Sequence, residues 1–171
     1  FHAGPVFGIF GPAVAAAKML QLTEDEVNST IALCVHLAAG NLEGPRSGGT
    51  ALREGAAVRN AMLAVALARS GQVGGDTTLE GEAGFYHAYT GNNKGLLSQS
   101  FVGETHASLE KITEGLGEDW MFLETLYRIY STAGYNIAHV DVSAQLCIEH
   151  DIKYEDVERV EAVVNWMETQ Y

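Results

Sequence analysis

The chain has 171 residues, 47% of them hydrophobic, enough apolar material for the core of one ordinary domain or for pieces of two. Its 22 acidic and 10 basic side chains give a formal charge of −12, a field that repels phosphate backbones and anionic lipid and so argues against nucleic acid or a membrane surface as a general partner. Cys34 and Cys147 stand alone, without CxxC or Cys/His spacing, which argues against a disulfide framework and a zinc site and fits a reducing cytoplasm.

The most apolar stretch, residues 6–22, is broken by Gly8, Gly11, Pro12 and Lys18 and is too short for a membrane span. The chain opens at Phe1 and not at a methionine, so both ends are expected to be cuts through a longer chain, and a targeting segment cannot be read from it. Residues 11–20 (GPAVAAAKML) are alanine-rich, with Pro12 tolerated in a first turn. They predict a helix whose small side chains let neighbouring helices come close. Thr23 followed by Glu26 is a capping-box pattern. It opens a helix with Val27, Ile31, Cys34, Val35 and Ala38 on one face and Gly40 as its stop.

Residues 41–50 (NLEGPRSGGT) form a polar, glycine-bearing loop able to bring backbone close to a ligand. Helical periodicity returns over residues 52–70, with Val58, Met62, Val65 and Ala66 on one side and Gly71 as terminator. A short helix is expected over residues 79–89. Periodicity is weak from 90 to 117, where five glycines suggest a connection between structural units. Beyond it, residues 120–130 fit a strand or a helix, since a short apolar run is ambiguous by period alone, and a strand is favoured; 138–150 predict a helix, and 157–166 a strand with Val160, Ala162, Val164 and Trp166 on one face. The expected fold is therefore mainly α: an all-helical domain over residues 1–115, followed over 116–171 by the start of a smaller α+β lid domain.

Four blocks, FHAGPVFGIFGPAVAAAKMLQLTEDEV, LREGAAVRNAMLAVALARSG, LEGEAGFYHAY and LGEDWMFLETLYRIY, occur in this order and cover most of the chain. Together they resemble the MmgE/PrpD family, which includes 2-methylcitrate dehydratase and cis-aconitate decarboxylase. The resemblance implies a helical domain with a smaller lid, a homodimer formed through helices, and catalysis without metal or organic cofactor. It implies small di- or tricarboxylates as substrates, and loss of water or carbon dioxide beside a carboxylate. Such chemistry requires a group that moves a proton and cations that hold the substrate and its developing negative charge. By the same comparison, earlier helices and the rest of the lid lie outside this chain.

On that resemblance His2, in the Phe-His pair, is the catalytic residue expected to move the proton. Thr50 stands where the family typically has a lysine, and supplies a hydroxyl in place of a charge. Arg46 and Arg53 are candidates to compensate, since a guanidinium grips a carboxylate with two hydrogen bonds. Arg128 falls near a family lysine and would anchor a carboxylate without exchanging a proton, while His139 matches a family histidine if a small insertion is allowed. His36, beside an apolar stripe, reads as a hydrogen-bonded core or boundary residue. The acidic run Glu24, Asp25 and Glu26 is explained by the helix dipole alone. An epimerase of a dicarboxylate on the same fold, and a helical scaffold that has lost catalysis, are the competing readings.

Overall fold

The computed structural model describes residues 1–42, 48–98 and 104–164. The chain divides into two compact units, Phe1–Ser108 and Leu109–Tyr171. The first holds α1 (Ala3–Phe7), α2 (Phe10–Met19), α3 (Glu24–Leu37), α4 (Thr50–Arg69) and α5 (Phe85–Thr90). The second holds α6 (Ile137–His150) and short 3₁₀ turns. Among the described residues no strand forms, and no helix is long and apolar enough to cross a membrane.

The core of the first unit is built largely from alanine. Ile9, Ala13, Cys34, Ala57, Ala61 and Ala64 form one buried cluster, with α2, α3 and α4 packed on one another and α1 on α4. Alanine projects a single methyl, so three helices can converge without opening voids. This corrects most of the face expected for α4, of whose four residues Val65 is buried while Val58, Met62 and Ala66 are exposed. Val58 and Met62 are 45% and 40% exposed, and the buried row runs through Ala57, Ala61, Ala64, Val65 and Ala68. Large aliphatics would have held the neighbouring helices apart. Cys34 is fully buried, and burial pushes its thiol up to about 11, whereas Cys147 is exposed.

The helix ends follow local chemistry. Thr23 caps α3: the Glu26 N–H donates to the Thr23 hydroxyl oxygen at 3.3 Å, and the Thr23 N–H donates to the Glu26 carboxylate at 2.8 Å. α3 stops at Leu37, before Gly40, and its last carbonyls take side-chain partners, with Asn60 Nδ2 donating to Leu37 O at 3.0 Å and the Tyr89 hydroxyl to Ala38 O at 2.8 Å. α4 ends as expected at Gly71. Its φ of +91° lets the Gly71 and Gln72 N–H groups turn back to Ala68 O and Leu67 O. α5 is shorter than expected, because residues 76–84 are taken up in turns. His36 is exposed on α3, not part of the core or its boundary.

In the second unit α6 forms as expected, but the two predicted strands do not. Residues 120–130 contain a 3₁₀ turn, Met121–Glu124, and present Trp120, Phe122 and Tyr127 to solvent. Residues 157–164 have no regular structure, Val160 and Val163 are exposed, and Trp166 lies outside the described residues. A strand is stabilised by the ladder it joins, and no described residue offers these segments a ladder.

Replacing Thr23 with Ala is expected to cost about 1 kcal/mol of stability, read as a shift of the urea unfolding midpoint. The cap also holds the Glu26 carboxyl below its ordinary range, through the Thr23 N–H first and its hydroxyl second. The ionised form is the one that is bound. Its contribution is therefore complete above the unfolded glutamate pKa and is lost as pH falls through the lower folded value, and Thr23→Ala, which keeps the N–H and removes the hydroxyl, should flatten that acid limb only in part. A thiol reagent at neutral pH should label Cys147 quickly, and Cys34 only on unfolding.

Candidate functional site

His2 is held at the start of the chain by packing on one side and backbone on the other. The Phe1 ring meets Tyr89 at 5.0 Å and Phe7 at 5.8 Å, and Phe85 sits beneath them against Phe7, Phe10 and Tyr89. Phe85 is 2% exposed and anchors the cluster. The His2 N–H donates to Gly40 O at 3.2 Å, so the segment following α3 becomes a rail for the Phe-His pair. Burial of the Tyr89 ring raises its phenol above the usual range and keeps it a neutral donor to Ala38 O.

The imidazole then faces α4. Arg53 Nη1 lies 2.7 Å from His2 Nε2, and Arg53 Nε donates to the Glu54 carboxylate at 2.9 Å. Arg53 is placed by the helix: it lies one turn before Ala57, whose burial fixes the face of α4 that meets α1 and α2. It also lines a cavity of about 250 Å³ with Pro5, Ala39, Gly40, Asn41, Gly49, Leu52 and Ala56. The volume lies at the small end of ligand sites, and its wall is apolar apart from the guanidinium, Asn41 and backbone.

The structure thus brings together two of the residues singled out from sequence, His2 and Arg53. Thr50 is the first residue of α4, and Arg46 lies outside the described residues. Arg128 and His139 belong to the second unit. Arg128 Nη1 donates to Thr132 O at 3.1 Å beside an open recess lined by residues 128–132, and His139 is exposed in the first turn of α6. There the Tyr130 hydroxyl donates to Asp141 at 2.6 Å, a bond that raises its phenol above the usual range. Among the described residues no three His, Cys, Asp or Glu side chains gather as metal ligands.

Sequence reasoning missed Glu54 and Tyr89, and read Gly40 only as a helix stop. Only Glu54 left a signal, its place beside Arg53; the other two act through backbone contacts that chain distance conceals. Gly40 is required by space. A Cβ there would lie 2.5 Å from Pro5 Cγ, in a ring that cannot swing aside. Gly40→Ala is therefore expected to destabilise the protein by about 1–3 kcal/mol, measured by urea unfolding, whereas Gly55→Ala, where a Cβ meets nothing within 4 Å, should not destabilise it.

The chain is 27% identical over 137 residues to the cis-aconitate decarboxylase-like protein oryM of Aspergillus oryzae (strain ATCC 42149 / RIB 40). That match covers 78% of this chain and 27% of the relative, so the chain spans about a quarter of the length of the curated protein it resembles. The profile of the MmgE/PrpD N-terminal domain matches residues 1–96, more than half of the chain and all five of the described helices of the first unit. On that match, the chain belongs to the MmgE/PrpD family.

Proposed function

We propose that the protein is a lyase acting on a small di- or tricarboxylic acid, with His2 moving a proton and Arg53 holding a carboxylate. The observation that carries this reading is the 2.7 Å approach of Arg53 Nη1 to His2 Nε2 from α4, where the guanidinium lines a small cavity. A proton on a carbon next to a carboxylate is acidic only if the charge left behind is stabilised. A base and a cation side by side meet both needs. In dehydration the base takes that proton, the electron pair is spread into the carboxylate, and the hydroxyl on the next carbon takes up the proton from the imidazolium and leaves as water. In decarboxylation the pair comes from the breaking carbon–carbon bond, and the imidazolium returns a proton to the carbon.

Arg46 and Thr50 are proposed as further substrate contacts before and at the start of α4. Arg128, with its fork beside the recess of the second unit, is proposed to bind a carboxylate by the same chemistry, and His139 to bind substrate. The family and the decarboxylase-like relative support a lyase; cis-aconitate is one candidate among several acids. A homodimer in the cytoplasm belongs to the same proposal, and sedimentation of the full-length protein tests the dimer.

The test is turnover by the full-length protein of citrate, 2-methylcitrate, cis-aconitate and an aspartate-derived dicarboxylate, followed by absorbance and by carbon dioxide release. One acid should be consumed, and His2→Ala should lower kcat by about 100-fold or more. Consumption without release of water or carbon dioxide would point to the epimerase. Silence from a folded protein would overturn the enzymatic reading in favour of the scaffold.

A further inference from the structure

The contact between His2 and Arg53 has a third member. Glu54, the next residue on α4, receives the Arg53 Nε–H, with carboxylate oxygens at 2.7 and 2.9 Å. We infer that Glu54 is a positioning residue that, through Arg53, decides which ring nitrogen of His2 carries the lone pair. The inference rests on the reading of His2 as the group that moves a proton.

Two donors compete for that lone pair. The Gly4 N–H points at Nδ1 from 3.2 Å, and the Arg53 guanidinium at Nε2 from 2.7 Å. A guanidinium has donors and no acceptor, and a neutral imidazole has one lone-pair nitrogen, so the ring satisfies one partner at a time. Accepting from Gly4 puts the ring proton on Nε2; accepting from Arg53 puts it on Nδ1. The Arg53 bond is shorter and charge-assisted, which favours the second arrangement as long as the guanidinium stays where it is. Glu54 holds it there. With Nε occupied by the carboxylate, rotation of the guanidinium away from His2 would break an ion pair as well as the contact to the ring.

A separate observation ties the three side chains together. A Cβ added at Gly4 would lie 3.1 Å from Glu54 Oε1 and 3.2 Å from both His2 Nδ1 and Cε1, so the carboxylate and the imidazole close on one position that has no side chain. The arrangement matters for the reaction because the proton to be taken lies on a carbon beside a carboxylate. A lone pair on Nε2 puts the accepting nitrogen on the same side as the cation that draws in that carboxylate. As the substrate carboxylate takes up the Nη1 donor, Nε2 is released to accept the proton, and the electron pair of the broken C–H bond passes to the carbon.

The ion pair is half open to water, with Arg53 and Glu54 side chains 28% and 56% exposed, and such pairs add little to stability. Its loss should therefore be read in the ring and not in the melt. The experiment is long-range ¹H–¹⁵N spectroscopy of the His2 imidazole in the full-length protein, at a pH where the ring is neutral, for wild type, Glu54→Ala and Glu54→Lys. Glu54→Lys repels the guanidinium outright, and where one variant fails to fold the other is read.

The wild-type ring should carry its proton on Nδ1, and either variant should move it mainly to Nε2. On the acid that is turned over, Glu54→Ala should lower kcat about tenfold or more with KM no higher, since an anion competitor has been removed while the alignment is lost. A wild-type ring with its proton on Nε2, or a tautomer unchanged in the variants, would overturn the inference whatever the activity. A tautomer that shifts as expected in a protein that consumes no acid would leave the positioning role standing and remove the lyase reading.

Discussion

Everything that places the candidate site depends on how closely α4 can approach α2 and α3. Alanine methyl groups set that distance: Ala57, Ala61 and Ala64 of α4 share one buried cluster with Ala13 of α2, Cys34 of α3 and Ile9, and Phe10, Leu33 and Leu37 close its margin. The spacing of packed helices follows the side chains between them, so a longer residue at any of these positions would translate α4 bodily. Arg53 lies one turn before Ala57 on the same rigid rod. A shift of α4 would thus be felt at full size in the contact between Arg53 and His2.

The other half of that contact depends on aromatic packing. His2 belongs to no long element and is the N-cap of the five-residue α1. Here Phe1 lies on Tyr89 and Phe7, Phe85 fills the space beneath, and Tyr89 in turn donates to the end of α3. The Phe-His pair is more than 80 residues from Phe85 and Tyr89 in the chain, yet they form one structural unit. The third sequence block therefore supports the candidate site, while His2 and Arg53 themselves lie in the first two. A strongly acidic chain presents one guanidinium to a small cavity and tethers it with a carboxylate from the next residue. This gives an anion a local target inside a repelling field.

Legibility from sequence followed the range of the interactions involved. The Thr23–Glu26 capping box, the alanine helix before it and the glycine stop after α4 are local, and each was readable because its partners lie within a few residues. The buried face of α4 was misread. Hydrophobic periodicity favours the largest apolar side chains, whereas close helix packing buries the smallest, and Val58 and Met62 were chosen where Ala57 and Ala61 are inside. The strand expected over 120–130 was drawn from composition, and that over 157–166 from the alternation of Val160, Ala162, Val164 and Trp166. β-rich composition favours a strand only where a neighbour completes the ladder.

Sequence by itself determined the helical character of the first unit, its caps and breaks, the excess of negative charge, and, through the order of four motifs, the family. It also marked His2 and Arg53 as chemically capable side chains. Only the tertiary structure decided that these two meet, that Glu54 joins them, and that Gly40 and Tyr89 hold the histidine in place. The reason is physical. Caps and periodicity are carried by residues a turn or two apart, whereas the His2–Arg53 contact spans 51 positions and exists only once alanine packing has brought α4 against the start of the chain.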